Sequence, residues 1–370
     1  MRKIRVLVVD DSAAIRRMLT DILSADPQIE VVGSAPDATI ALAKLSQAAP
    51  DVVTLDVEMP GVNGLELLAK IRQVAPKLPV IMFSSLTQRA AATTLEALAL
   101  GATDYVTKPA ATGSREASIE QVRAQLLPKI RVLGNALPSN TAPGAARPAS
   151  PPQPMRLARA RTECIDVVAI GASTGGPNAL STLFQEIPAT FPVPILIVQH
   201  MPPMFTRLLA ERLSATCSLH FEEACDGAVL APGTVWIAPG DFHMRMIREG
   251  GKLKVALDRG PPENSCRPAV DVLFRSVAAT IGAGSLAVVL TGMGQDGLRG
   301  CEAVQAAGGQ IIVQDEGTSV VWGMPGFVAR AGMAEKILPL AGIAGEVMQR
   351  MTRRKIGSGA PLPNGEYHVS

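Results

Sequence analysis

Aromatic residues make up only 3% of this sequence, and its five cysteines include no Cys-x-x-Cys pair. Scattered thiols in odd number argue against a disulfide framework and against a zinc site, and they fit a reducing compartment. No apolar run approaches the roughly 20 residues that span a bilayer. The opening MRKIRVLVVDDS turns acidic straight after its apolar stretch and has no cleavage-type segment behind it, so it reads as a first strand, not a signal peptide. The expected location is cytoplasmic. A large charge of one sign is missing too: the net charge is +2 with no basic stripe, which removes the electrostatic case for nucleic acid. What the chain does have is apolar residues, 47% of 370, ample for two cores.

Residues 1–133 alternate β-branched runs with helix-period segments: IRVLVV with SAAIRRMLTDIL, IEVVGSA with ATIALAKL, DVVTLD with GLELLAKIRQV, PVIMFS with AATTLEALAL, and DYVTK with IEQVRAQLLPKI. This alternation predicts a parallel sheet covered by helices on both faces. Residues 134–161 read as a Pro/Ala-rich linker, with Pro138, Pro143, Pro148, Pro151, Pro152 and Pro154 among Ala, Ser, Gly and Arg. Residues 162–352 alternate again and predict a second α/β domain, with an antiparallel hairpin expected at VWIAPGDFHMRMI followed by KLKVAL. The tail, 353–370, shows no periodicity.

In the N-terminal half, Asp10 and Asp11 end the first strand and Asp56 ends the third. If those strands are neighbours, three carboxylates meet at the C-terminal edge of the sheet. Such a cluster repels itself unless a cation occupies it, and Mg²⁺ suits oxygen donors of this kind. Ser84 closes the fourth strand and Lys108 follows the fifth, so a hydroxyl and an ammonium facing the acids would complete a site that takes a phosphoryl group on a carboxylate. Any one of these acids could instead be a helix N-cap. Five residues in strand-end register tell against that.

VVDDS, LDVEMPGVNG, FSS and DYVTKP resemble the signature positions of response-regulator receiver domains over residues 1 to about 130. The resemblance implies a flavodoxin-like (βα)5 fold with Asp56 as phosphoacceptor. It implies Mg²⁺ held by Asp11, Asp56 and the Glu58 carbonyl, with Asp10 nearby, and Ser84, Tyr105 and Lys108 as switch residues. Asn63 stands where these domains often carry Asp, outside the phosphoryl site.

Three apolar runs in the C-terminal half break into small-residue loops, each carrying one reactive side chain: Ser173 in VVAIGASTGG, His200 in ILIVQH and Asp296 in AVVLTGMGQDG. Loops at strand ends are where open parallel sheets assemble their sites. Gly171-Ala172-Ser173-Thr174-Gly175 matches GxSxG after a strand and before a helical stretch, the context of a nucleophile elbow. A phosphate-binding turn is the rival reading, although GxGxxG and GKS/T are both absent. Of four histidines (His200, His220, His243, His368), only His200 directly ends an apolar strand. Asp296 could orient its imidazole, or it could simply cap the helix GLRGCEAVQAA. Asp315 and Asp226 stay open by spacing. The amides around Met293 are oxyanion-hole candidates. The order Ser, His, Asp differs from the Ser, Asp, His of the common α/β hydrolases.

GASTGG, QHMPPMFTRLLAERL, APGDFHM, CRPAVDVLFRS, TGMGQDG and QDEGTSVVWGMP together resemble the catalytic domain of the chemotaxis protein-glutamate methylesterases over residues 164 to about 350. A receiver followed by this domain is also that family's arrangement. The resemblance implies a doubly wound, mostly parallel α/β domain that hydrolyses glutamate γ-methyl esters on chemoreceptors. In it Ser173 attacks, His200 acts as base and then acid, and Asp296 orients His200, with no metal at the esterase site. Some members of the family also deamidate receptor glutamines. The implied partners are methylated chemoreceptors and a chemotaxis histidine kinase, with no nucleic acid and no membrane insertion, for a monomer. Unphosphorylated residues 1–130 are expected to pack over the Ser173 loops, and phosphorylation at Asp56 to loosen or reorient that contact. A DNA-binding regulator would need a basic recognition helix that the sequence lacks. A receptor-binding adaptor would have no need of Ser173.

Overall fold

The computed structural model describes residues 2–109, 114–135 and 164–356. Apart from Gly134 and Asn135 the expected linker lies outside these residues, as do most of the tail and His368.

In the N-terminal half, β1 (Ile4–Val9), β2 (Ile29–Ala35), β3 (Val52–Asp56), β4 (Val80–Ser84) and β5 (Asp104–Thr107) alternate with α1 (Ala13–Ser24), α2 (Ala38–Ala48), α3 (Gly64–Val74), α4 (Gln88–Ala99) and α5 (Arg115–Asn135). The strands pair in parallel in the order β2-β1-β3-β4-β5. Strands β3 and β4 are buried along their whole length, as near-continuous apolar runs in a two-faced sheet must be. Ser12, Asp37, Asn63 and Thr87 cap α1, α2, α3 and α4 with side-chain oxygens. Asp10, Asp11 and Asp56 are therefore not the caps, which disposes of the bland reading of those acids. Asn63 fills a capping position that Asn and Asp serve about equally well.

The C-terminal half runs β6 (Val167–Ala172), α6 (Gly176–Gln185), β7 (Ile195–Gln199), α7 (Phe205–Thr216), β8 (His220–Glu223), β9 (Thr234–Ile237), β10 (His243–Glu249), β11 (Lys252–Asp258), α8 (Val270–Ile281), β12 (Ser285–Val289), α9 (Leu298–Ala306), β13 (Gln310–Gln314), α10 (Met324–Arg330), β14 (Lys336–Leu338) and α11 (Leu340–Ile356). Seven strands form one parallel sheet in the order β14-β13-β12-β6-β7-β9-β8. The expected hairpin is present but shifted. Its strands are β10 and β11, paired antiparallel around Gly250 and Gly251, while the VWI run belongs to β9 and joins the large sheet. Alternation cannot separate these two fates, because both need apolar residues on one face at least.

The halves share a core. Tyr105 and Met82 lie in one buried apolar cluster with Phe184, Phe205 and Leu209, and Met293 and Val321 join the cluster built around Val8, Phe83 and Leu126. Among the described residues no helix is long and apolar enough to cross a membrane.

Candidate active site

The neighbouring β1 and β3 bring their C-terminal acids together. Asp10 and Asp56 are buried and Asp11 is exposed, with one carboxylate oxygen of each within 4.8 Å of the others. Lys108 Nζ reaches in to 2.8 Å from Asp56 Oδ1 and 3.2 Å from Asp10 Oδ2. Asp56 Oδ2 is buried with no hydrogen-bond partner among the described residues. A hard divalent cation suits an orphaned oxygen beside two more carboxylates, so the residues present fit the Mg²⁺ that a receiver domain implies. Burial, and then the nearby Asp10 charge, push the Asp56 pKa up to about 6 against the pull of Lys108 and the Glu58 amide. Burial lowers the Lys108 pKa, but its bonds to Asp56 and Asp10 outweigh this and raise it. Ser84 does not face the acids. Its Oγ accepts from Thr94 Oγ1 at 2.7 Å and leans on the Ala90 carbonyl at 3.4 Å, both on α4.

In the second half, β12, β6 and β7 lie side by side at the centre of the sheet, so the loops after them share one edge. Ser173 leaves β6 half-buried, its amide donating to the Thr291 carbonyl, while the His200 amide donates to Ala172 beside it. Gly175 takes φ 78°, a left-handed value that glycine adopts without penalty. A Cβ on Gly292 would fall 2.8 Å from Ser173 Cβ, which shows how closely the TGMG loop is pressed against the serine. The Met293 amide meets no acceptor among the described residues.

Asp296, nearly fully buried, accepts from His200 Nε2 at 2.7 Å on Oδ2. The Val270 amide shares that oxygen, and Oδ1 takes the amides of Asp271 and Gly297 and the Asn264 side chain, all within 3.0 Å. Asp296 thus caps α8 from a distant loop, and Asp271, inside α8, returns the favour by accepting from the Gly297 and Gly300 amides of α9. The rival acids are engaged elsewhere: Asp315 closes its own turn on Thr318, and Asp226 accepts from Leu257. His243 is buried against the Pro261 carbonyl, and His220 pairs with Glu222 on the surface. No hydrogen bond joins the Ser173 hydroxyl to His200 among the described residues. With Nε2 taken by Asp296, the nitrogen left over is Nδ1, which faces Cys266 Sγ at 3.6 Å.

Burial lowers the His200 pKa, but the Asp296 hydrogen bond and then Cys266 overcome it and hold the value up at about 10. Burial works to raise Asp296, yet its bond to His200 and the α8 amides leave it below the usual carboxylate range. Sequence reasoning passed over Cys266, Asn264 and Asp271. The NSCRPAVD run that carries them was in view, but its contacts with Asp296 span up to 32 residues of sequence.

The receiver-like half covers this edge. Thr174 Oγ1 donates to Asp104 Oδ2 at 2.7 Å, Asn178 to the Leu98 carbonyl at 2.6 Å and Arg212 to the Leu95 carbonyl at 2.8 Å. Tyr105 stacks on Phe205 with ring centres 4.7 Å apart.

Fold and strand-end chemistry define a receiver domain joined to a parallel α/β domain of hydrolase type. The response regulator receiver domain pattern matches residues 6–120 and the CheB methylesterase pattern matches residues 168–347. The chain is 53% identical to a protein-glutamate methylesterase/protein-glutamine glutaminase of Trichodesmium erythraeum, over 95% of this chain and 100% of that one. A protein of the same description from Nocardioides is 48% identical over 96% and 97% of the two chains. The solved catalytic domain of Thermotoga maritima CheB methylesterase shares 43% identity over 50% of this chain and 98% of its own, at a TM-score of 0.49. The chain belongs to the CheB methylesterase family and carries that family's receiver domain.

Proposed function

We propose that this protein removes methyl groups from glutamate γ-methyl esters on chemoreceptors, releasing methanol, and that its receiver domain gates the reaction. The observation that carries this reading is the His200–Asp296 hydrogen bond of 2.7 Å beside the Ser173 turn. Ser173 Oγ attacks the ester carbonyl and His200 takes its proton at Nδ1, the nitrogen that Asp296 leaves free. Asp296 holds the tautomer and stabilises the imidazolium. The Met293 amide donates to the developing oxyanion. His200 returns the proton to the departing methoxide, and water then cleaves the acyl-enzyme by the same route in reverse. A glutamine side chain enters the same acyl-enzyme with ammonia as leaving group, in keeping with the double description of the relatives.

Asp56 takes the phosphoryl group from a chemotaxis histidine kinase. Mg²⁺, held by Asp11, Asp56 and the Glu58 carbonyl with Asp10 nearby, would supply charge neutralisation there. Phosphorylation adds about −1.5 to −2 charges and three acceptor oxygens, which draw Lys108 and the Ser84 hydroxyl inward. Moving Ser84 breaks its bonds to α4, and α4 is the helix that Asn178 and Arg212 grip. Tyr105 follows, releasing Phe205. The domain bounds proposed are 1–133 and 162–352, around a linker at 134–161, in a cytoplasmic monomer.

The test is methanol release from methylated receptor membranes. Ser173→Ala is expected to lose about 10⁴ or more in rate, and a rate equal to wild type overturns the assignment.

A further inference from the structure

The cysteine census argued against zinc, because zinc sites announce themselves as close Cys and His spacings. The fold builds a different kind of donor set from distant residues. One donor atom from each of His200, Cys266 and Asp296 lies within 4.8 Å of the others. The atoms are arranged in a particular way: Cys266 Sγ is 3.6 Å from His200 Nδ1, while Asp296 Oδ2 holds Nε2 on the other side of the ring. A tetrahedral zinc ion with Zn–S of about 2.3 Å and Zn–N of about 2.0–2.1 Å sets a sulfur and a nitrogen ligand about 3.6 Å apart. An imidazole that turns its far nitrogen to a carboxylate is also the usual posture of a metal-bound histidine, since the carboxylate fixes the ring and raises its basicity.

Access and placement agree with this. The His200 side chain is 12% exposed and Cys266 is half-buried, so an ion can enter from solvent. Asn264 and Ser265 both sit in the left-handed region, at φ 51° and 62°, and this turn delivers Cys266 to the imidazole while Asn264 clasps Asp296 and Asp271.

We propose that Cys266 Sγ and His200 Nδ1 bind a thiophilic divalent cation, zinc foremost, and that the bound ion switches off the Ser173 centre by occupying the imidazole nitrogen that serves it. The inhibitory half of this rests on the role proposed for His200. On binding, the Cys266 thiol proton and the Nδ1 proton of the His200 imidazolium pass to solvent, the freed sulfur and nitrogen lone pairs go to the metal, and water fills the remaining positions with no change of oxidation state. Sulfur and imidazole donors favour zinc here, whereas the all-oxygen pocket around Asp56 favours Mg²⁺, so the two sites sort their metals by donor type.

The test uses the full-length protein in excess Mg²⁺, titrated with cobalt(II) as a spectroscopic stand-in for zinc. A thiolate-to-cobalt charge-transfer band is expected at one equivalent. It should vanish in Cys266→Ser, in Cys266→Ala and in His200→Gln, and persist in Cys225→Ser. No band in the wild type, or one that survives loss of Cys266, overturns the site. Methanol release is then followed against free zinc, each variant scaled to its own metal-free rate. Loss of Cys266 is expected to raise the half-inhibiting zinc concentration at least about tenfold. A Cys266-dependent band with no zinc inhibition overturns the inhibitory step. A band in wild-type protein that releases no methanol in metal-free buffer supports the metal site and overturns the esterase reading.

Discussion

Asp296 joins the proposed catalytic centre to folding in a single carboxylate. It holds His200, and it also satisfies the first amides of α8, where Ala269 offers no side-chain cap. Caps of this kind are worth about 0.5–2 kcal/mol each. The acid therefore earns its place even before any chemistry. Its bond to His200 is the largest influence raising that residue's pKa from 6.5 to about 10. A group whose pKa is raised on folding contributes stability fully below its unfolded value, and that contribution is lost as pH climbs through the folded one. The neutral imidazole needed as a base appears over the same span, so wild-type methanol release is expected to rise with pH from near neutrality towards about 10. Asp296→Asn keeps the shape and removes the charge, which lowers the His200 pKa. Single-turnover pH profiles should show its rising limb at lower pH, under a ceiling reduced about 10⁴-fold. A limb that stays put or moves up would contradict the pairing.

Elements meet in this protein through glycine. The turn from β6 to α6 presses Gly175 against the loop after β13: a Cβ there would fall 2.6 Å from Val320 Cγ2, and φ is 78°. Two penalties therefore act on Gly175→Ala, roughly 1–2 kcal/mol for a left-handed alanine and about 1–3 kcal/mol for overpacking. Denaturant unfolding is expected to show a loss of about 2–5 kcal/mol on those scales. Adding Val320→Ala removes Cγ2 but keeps a Cβ 2.7 Å away, so it should restore only a fraction of the packing part and none of the backbone part. Full restoration would mean that the turn carries no backbone strain. At the same helix end Gly175 supplies no side-chain cap for α6.

At the scale of the whole molecule, the receiver half is docked through Tyr105, one of the residues proposed as its switch, and through Asp104 beside it. Tyr105 stacks on Phe205 at the start of α7, and Asp104 next to it binds both Thr174 and Lys129 at 2.7 Å. Thr174 adjoins Ser173, so a rearrangement of β5 is felt one residue from the proposed nucleophile. An aromatic pair contributes about 0.5–1.5 kcal/mol beyond the area it buries. Tyr105→Ala is accordingly expected to raise methanol release by unphosphorylated full-length protein a few-fold to about tenfold, and to narrow the further gain on phosphorylation. An unchanged basal rate would mean that the stack does not hold the gate.

Local pattern determined a great deal. The period-2 and period-3.6 alternation specified ten elements of the first half, because side-chain periodicity is a property of each segment by itself. The chemical content of strand ends singled out Asp10, Asp56, Lys108, Ser173 and His200, because in a parallel sheet every C-terminal strand end points to one edge. Tertiary structure alone decided what depends on strand order and loop course. Those choices include β9 rather than a hairpin strand for VWI and a Ser84 hydroxyl turned towards α4; for Asp296, which the resemblance already implied while spacing left Asp315 and Asp226 open, the structure adds its hydrogen bond to His200. They also include the nitrogen of His200 that faces Cys266, and the receiver surface that lies over Ser173. Each is a contact between segments whose separation in sequence carries no distance information, so the physics that selects them is packing and not periodicity.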